Sequence, residues 1–280
     1  MARVGKFNIP VNNVVAAAQG DLLNCVQPTS GAAATWSGLL AGTDGQKLQA
    51  KWDSYTKLAS SFDGANLATA YTDPIAGAYT FVSGAKLSTA QYKWTSSLLL
   101  NGSTDYVTLP DSDDWNFGTG DFTIDCWVYL NVIDLPTQTI ASQQDVGGNT
   151  LWNVGIRLDN YLVLFFRDSS GVIQAYYVAT QTALTTGQWY HVAFERTTTT
   201  GKIFLNGVSQ TLAVVMAFGT NTMPDVNSPL NIGSQTQAGV GNYYFNGYID
   251  ELRISKGIAR FTADFKPPTG PYAPIPTWVT

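Results

Sequence analysis

The chain has 280 residues, of which 45% are hydrophobic, 12% aromatic and only 12% charged. Its 15 basic and 20 acidic residues give a net charge of −5. This balance argues against nucleic-acid binding and against docking on anionic lipid, because both need concentrated positive charge. No apolar run approaches the roughly 20 residues of a membrane-spanning helix. We therefore predict a β-rich globular protein with many exposed turns, which acts on neither nucleic acid nor membrane.

The first 55 residues are rich in Ala, Gly and Asn and are too few to bury a good core of their own. We interpret residues 1–55 as an extended arm for assembly or attachment, with a loosely docked extension as the alternative. The spacing of Leu48, Trp52 and Tyr55 predicts a short helix over 45–55. The apolar residues expected to pack on other subunits are Phe7, Ile9, Val14, Leu22, Leu23, Trp36, Leu39 and Trp52.

Short strands separated by turns follow in the body of the chain, 56–268. In 122–130, Phe122, Ile124 and Cys126 begin a face that alternates with the polar face begun by Thr123 and Asp125. Asn206-Gly207 is the strongest hairpin signal in the chain, and Asp159-Asn160 is a second one. Because so many antiparallel strands must cover their edges, we predict an all-β fold of two sheets packed face to face. The predicted strands are 96–100, 105–109, 122–130, 151–158, 161–167, 171–180, 188–196, 202–205, 229–233 and 244–255.

The C-terminal residues 269–280 are proline-rich. Pro271, Pro274 and Pro276 predict a tail that joins neither sheet nor helix and runs extended over the surface or onto a neighbour. The two cysteines, Cys25 and Cys126, are too few for a disulfide framework, and Cys126 is most simply a small core residue.

Several motifs occur together in a characteristic order over residues 57 to about 268. They are SFDG at 61–64, LSTAQYK at 87–93, SLLLNG at 97–102, DYV at 105–107, FGTGDFTIDCWV at 117–128, WYHVA at 189–193, FLNG at 204–207, LNIG at 230–233 and FNGYIDELRISKGIARF at 245–261. This region resembles the laminin-G-like branch of the concanavalin A-like lectin/glucanase superfamily, in the version common in tailed-bacteriophage virion proteins. The resemblance implies a jelly-roll sandwich of two antiparallel sheets. It says little about function, because this fold carries lectins, adhesion modules, hydrolases and inert spacers.

The sequence gives little support for catalysis. Glycoside hydrolysis needs two carboxylates that flank the scissile bond, and the only glutamates, Glu195 and Glu251, are far apart in the sequence. Asp121 and Asp125 share a strand face, but Asp121 matches a turn position of the family. The single histidine, His191, lies in a strand where the family uses it structurally. We therefore expect no enzyme activity and no catalytic residues.

Two binding hypotheses remain. Rim loops with aromatic and amide side chains predict weak glycan binding by Asp145, Asn149, Trp152, Asn242 and Tyr243. Tyr176 and Tyr177 are adjacent, so one of them faces outward if that stretch is a strand. Relatives that hold calcium imply a structural Ca²⁺ at Asp63 and Asp250, although both carboxylates also suit turns or ion pairs. No other cofactor is expected.

We thus expect a non-enzymatic phage virion protein, either a capsid decoration or a fibre, that displays a lectin-like domain at the virion surface. Its expected partners are other virion proteins, further copies of itself in a homo-oligomer, and host-surface polysaccharide. A tail-associated receptor-binding protein and a secreted lectin are the alternatives. Pro10, Asn12 and Asn13 interrupt the apolar N-terminal stretch, so we expect no secretory signal, which disfavours the secreted lectin.

Overall fold

A computed structural model describes residues 47–133, 135–235 and 243–279. The only helical turn in these ranges is a short 3-10 turn at Asp113–Trp115, and no described helix has the length and hydropathy to cross a membrane. The strands, in chain order, are β1 Lys47–Lys51, β2 Thr56–Ser60, β3 Thr72–Asp73, β4 Gly77–Ala78, β5 Thr80–Val82, β6 Lys86–Ser88, β7 Ser97–Asn101, β8 Tyr106–Leu109, β9 Phe122–Leu130, β10 Gln138–Gln144, β11 Leu151–Ile156, β12 Leu162–Arg167, β13 Ile173–Ala179, β14 Trp189–Thr197, β15 Thr200–Leu205, β16 Val208–Ser209, β17 Leu212–Met216, β18 Leu230–Ile232, β19 Ser234–Gln235, β20 Tyr243–Tyr244, β21 Asn246–Lys256 and β22 Ile275–Val279.

Two large antiparallel sheets make up the body of the protein. The first sheet has the strand order β17-β13-β12-β11-β10-β18-β8-β5. The second sheet has the order β16-β15-β14-β9-β21-β7-β6, and β2 also pairs with β21. This arrangement confirms the predicted all-β jelly-roll sandwich. Each of the ten predicted strands overlaps an observed one, whereas β2, β5, β6, β10, β16 and β17 of the two large sheets were not predicted.

The hydrophobic core lies between the inner faces of the two sheets. From the second sheet, β9 contributes its alternate residues Phe122, Ile124 and Cys126, and from the first sheet β11 contributes Trp152 and Val154. The predicted face of β9 is therefore confirmed. Cys126 is a buried free thiol within this core, as its position in the alternating pattern predicted.

Both predicted hairpin turns form, and both use left-handed backbone. Asn160 has φ 65°, and the Arg157 N–H donates to the Tyr161 carbonyl across the turn. Asn206 and Gly207 have φ 50° and 79°, as a type I′ turn requires. These turns fix the register of β11 on β12 and of β15 on β16.

Two local predictions at the ends of the chain are wrong. The stretch 45–55 contains strand β1 instead of a helix, and the Asp53 carboxylate accepts from the N–H groups of Tyr55 and Thr56, which makes a turn there. The tail does join a sheet, because β22, which includes Pro276, pairs with β1. A two-stranded sheet has only edge strands, where proline is tolerated. Trp52–Ile275 forms one compact unit, and β1 with 276–279 lies in a second.

Residues 257–275, called the strap below, cross the outer face of the second sheet. The Phe265 N–H donates to the Gly207 carbonyl at 2.8 Å, and Lys202 Nζ donates to the Thr262 carbonyl at 2.8 Å. Phe261 and Phe265 stack with 3.7 Å between ring centroids. The strap therefore gives the second sheet an aromatic cover.

Candidate functional site

A buried ionic network lies beneath the strap. Arg253 Nε donates to Asp125 Oδ1 at 3.0 Å and Arg253 Nη2 donates to Asp125 Oδ2 at 2.9 Å. The Tyr272 hydroxyl also donates to Asp125, and His191 Nε2 lies 3.5 Å from Asp125 Oδ2. Burial by itself would raise the pKa of Asp125, but Arg253 and His191 outweigh it and hold that pKa well below its usual range. The network fastens Tyr272 of the strap to the sheet.

The two glutamates of the chain are enclosed in the same region. Glu195 Oε1 accepts from the Thr123 hydroxyl at 2.7 Å and from the Phe261 N–H at 2.9 Å, and Glu251 Oε2 accepts from the Tyr272 N–H at 2.7 Å. Burial raises the pKa of Glu195 to about 7 and that of Glu251 to about 8. Both carboxyls face the strap and are almost fully shielded from solvent. In this arrangement they hold backbone in place and present no acid–base pair to a substrate.

Asp63 and Asp250, the predicted calcium ligands, lie near each other. Asp63 is exposed, whereas Asp250 is buried and accepts from the N–H groups of Lys93 at 2.8 Å and Glu251 at 2.9 Å. Burial, with the Asp63 charge added, raises the pKa of Asp250 to about 7. Within the described residues, no group of three or more His, Cys, Asp or Glu side chains could hold a metal ion. Because Ca²⁺ takes six to eight oxygens, backbone or water would have to supply the remainder, and the calcium site stays a prediction.

An aromatic pair, Phe165 and Tyr176, lies on the outer face of the first sheet. Cross-strand register places Asn153 of β11 opposite Phe165 of β12, Phe165 opposite Tyr176 of β13, and Tyr176 opposite Met216 of β17. The two rings are half-buried and meet edge to face with 5.3 Å between centroids. Tyr177 points the other way into the core, so Tyr176 is the outward member of the adjacent tyrosines. These two rings, which face away from the core, are called the aromatic floor below.

Polar groups border this floor on two sides. On one side, the Arg167 guanidinium lies 5.9 Å from the Phe165 ring centroid, and Nη2 donates to the Gly148 carbonyl at 2.6 Å. On the other side, Asn153 Nδ2 donates to Gln235 Oε1 at 2.8 Å, and Gln235 pairs with Tyr243 in the small β19–β20 sheet. Ring faces bordered by oriented amide and guanidinium groups are the chemistry of a site for a polar, ring-shaped ligand.

The structure separates the five predicted glycan residues. Asp145 and Asn149 lie in the β10–β11 loop that Arg167 contacts, although Asp145 already caps the loop by accepting from Thr150. Tyr243 lies on the opposite border, beside Gln235. Trp152 is fully buried on the inner face, where its Nε1 donates to Gln143, so its ring is no platform for a ligand. Asn242 lies outside the described residues.

The jelly-roll architecture and the motif order agree with a family comparison. Residues 101–260, more than half of the chain, match the family described as the concanavalin A-like lectin/glucanases superfamily. The chain belongs to this superfamily. A comparison with curated proteins finds no match. Membership establishes a lectin-like domain and leaves its ligand open.

Solved structures share the fold of this lectin-like domain. Domain 4 of the extracellular arabinanase AbnA from Geobacillus stearothermophilus, solved with arabinotriose, is 22% identical over 72% of this chain and 93% of its own, with a TM-score of 0.53. The binding domain of Paraclostridial Mosquitocidal Protein 1 is 16% identical, with a TM-score of 0.54. Botulinum neurotoxin type C, whose cell entry is described as dependent on interaction with two ganglioside molecules, is 16% identical, with a TM-score of 0.53. Each toxin alignment covers 73% of this chain and about half of the toxin chain. These identities show a shared fold.

Proposed function

We propose that this protein is a non-enzymatic carbohydrate-binding protein of a tailed-phage particle and that its glycan site is the floor formed by Phe165 and Tyr176. The observation that carries the proposal is this half-buried aromatic pair on the outer face of a lectin-like fold. Sugar rings present apolar C–H faces and polar edges, so an aromatic floor with hydrogen-bonding borders matches both. Arg167 on one border and Gln235 on the other supply those polar groups.

The neighbouring folds support the same ligand class. The arabinanase domain was solved in complex with arabinotriose, and cell entry of the neurotoxin is described as dependent on interaction with two ganglioside molecules. Those ligands belong to those proteins, and the common fold makes a sugar the first ligand to test for this chain.

The positions of the acidic residues support a non-enzymatic role. Glycosidases need two carboxyl groups that flank the substrate bond, whereas Glu195 and Glu251 lie under the strap on the other sheet. The described part of the aromatic floor has Arg167, Asn153 and Gln235 at its borders. Such a surface is suited to binding a glycan without cleaving it.

The virion setting rests on the sequence. The motifs of residues 57–268 resemble domains of phage virion proteins, and the apolar residues 1–55 are suited to attachment and to assembly into a homo-oligomer. We place the domain on the particle surface as a capsid decoration or fibre. Many displayed copies of a weak binder gain avidity, so adhesion to host polysaccharide needs little affinity at each site.

A glycan array of bacterial surface polysaccharides, followed by titration of the strongest binder, tests the proposal. We expect Tyr176→Ala to weaken binding at least tenfold, which corresponds to about 1.4 kcal/mol. Tyr92→Ala, which removes a tyrosine that is 46% exposed elsewhere, is the matched control and keeps wild-type affinity. Thermal melting of both variants separates lost binding from lost folding. Absence of any glycan binding by the intact chain would contradict the proposal, as would equal affinity of Tyr176→Ala and wild type.

A further inference from the structure

The four outer edges of the two sheets are not protected alike. An uncovered edge strand offers free N–H and C=O groups to another chain, so proteins normally cover such edges, shorten them or charge them. At β6, the Leu67 N–H donates to the Leu87 carbonyl and the Leu87 N–H donates to the Ala68 carbonyl. Residues 67 and 68 therefore cover that edge.

The strap covers a second edge. Asp264 Oδ1 accepts from the Ser209 N–H of β16 at 2.8 Å, and Phe265 bonds to Gly207 just before that strand. A third edge strand, β5, has only three residues. Three of the four edges are thus covered or short.

The fourth edge, β17, has no such protection in the described part of the chain. It has five residues and pairs there with β13 alone. Its apolar side chains are exposed to an unusual degree, with Val214 at 51%, Val215 at 61% and Met216 at 43%. No Asp, Glu, Lys or Arg occurs between Lys202 and Asp225, so the strand has no charged side chain of its own. An uncharged apolar edge of this kind is suited to pairing with another strand.

We propose that β17 pairs with β17 of a second copy of this chain, antiparallel about a two-fold axis. The first sheet of one copy and the first sheet of the other then form one continuous sheet. Charge favours this strand as the place of contact between two copies. The chain carries a net charge of −5, and its uncharged stretch around β17 is where two like-charged copies can approach without repulsion. The strand is also self-complementary, because a two-fold axis sets its apolar residues against the same residues of the copy.

The register within β17 locates the axis. Leu212, Ala213 and Val214 pair regularly with β13, but the register shifts between Val214 and Met216, which leaves Val215 as a bulge. A bulge interrupts the ladder of backbone hydrogen bonds. The regular part of the strand therefore carries the pairing, and the axis passes near Ala213 and Val214. The axis lies at the Leu212–Val214 part of the strand, whereas Met216 is the β17 residue that pairs with Tyr176 of the glycan site.

Single cysteines in the full-length chain test this arrangement, in a Cys25→Ser background that leaves only the buried Cys126. Facing residues in an antiparallel pair lie about 4.5–5.5 Å apart between Cα atoms, within reach of a disulfide. We expect Ala213→Cys or Val214→Cys to form disulfide-linked dimers at least tenfold faster than Met216→Cys and than the control Val146→Cys, whose valine is 84% exposed on a loop.

A second substitution verifies that the strand itself pairs. Added to Ala213→Cys, Val214→Lys places two like charges at the axis and should abolish the crosslink. Val172→Lys, at a valine that is 54% exposed on a neighbouring turn, should leave it intact. Crosslinking no faster than that of Val146→Cys overturns the proposal, whatever the oligomeric state. So does a maximum at position 216, or a crosslink that survives Val214→Lys.

Discussion

Gly207 and Phe265 hold the strap against the second sheet at a point of very close approach. The Phe265 N–H donates to the Gly207 carbonyl at 2.8 Å, and a Cβ atom built on Gly207 would overlap the Phe265 carbonyl oxygen. Gly207 also has φ 79°, which L-residues with a side chain rarely adopt. One glycine thus serves both a hairpin turn and the docking of a distant segment.

Replacing this glycine should loosen the strap. Left-handed backbone costs a residue with a Cβ about 1–2 kcal/mol, and Gly207→Ala adds the collision with Phe265. Gly187→Ala is the matched control, because Gly187 has φ 83° and nothing within 4 Å of its built Cβ. We expect Gly207→Ala to destabilise the protein by roughly 2 kcal/mol more than the control in urea unfolding, with faster proteolysis within the strap. Equal losses in the two variants would show that the strap is not held at this point.

The ion pair Asp125–Arg253 should contribute strongly to the free energy of unfolding only while both partners are present. Asp125→Ala leaves a largely buried guanidinium without its carboxylate, and breaking a buried pair in this way costs about 3–5 kcal/mol. The double variant Asp125→Ala/Arg253→Met removes both charges and should recover part of the loss in urea unfolding. If the unfolding free energy of Asp125→Ala lies within about 0.5 kcal/mol of wild type, the range of ordinary surface substitutions, the network described above is contradicted.

Stability should fall as pH rises through the neutral range. The pKa of Glu251 is about 8 in the folded protein, against about 4.3 for an unperturbed glutamate. Between these values the folded state holds a proton that the unfolded state has lost, so raising the pH favours unfolding. The Glu251→Gln side chain cannot ionise, so this variant should reduce the slope of unfolding free energy against pH between about 5 and 8, with Glu195 and Asp250 supplying the remainder. Asp159→Asn, at a half-exposed carboxylate, should keep the slope. An unchanged slope in Glu251→Gln would show that ionisation of Glu251 does not contribute to the pH dependence of stability.

Calcium should stabilise the fold if Asp63 and Asp250 bind it. Saturation to 100 times the dissociation constant adds about 2.7 kcal/mol, which is several degrees in melting temperature for a domain of this size. Asp63→Asn should abolish the rise, and Asp159→Asn should keep it. Identical melting in calcium and in EDTA for the wild type would rule out a structural calcium ion.

Strand periodicity made most of the fold predictable. In β9, strict alternation separates Phe122 and Ile124 from Thr123 and Asp125, and the structure follows it residue by residue. Asn206-Gly207 fixed a hairpin because few residue pairs tolerate left-handed backbone twice in succession. By contrast, β10 reads QTIASQQ and has no apolar alternation, and its buried polar side chains bond to partners far along the chain, such as Ser228 and Ser234. The sequence carries no local sign of those contacts.

The candidate site was harder to predict. Trp152 was interpreted as a rim residue, yet it alternates with Val154 and Ile156, and that period already placed it on the core face. Tyr176 was recognised as one of two tyrosines that could face outward. Its partner Phe165 was missed, because cross-strand neighbours depend on the pairing of β12 with β13, which single-strand periodicity does not specify.

Hydrogen–deuterium exchange of the intact protein, with and without saturating amounts of its tightest array glycan, tests the central claim most directly. We expect the glycan to bring new protection of amide hydrogens in β12, β13 and β19, around Phe165, Tyr176 and Gln235. Protection confined to the strap and the second sheet would contradict it and place the ligand on the opposite face.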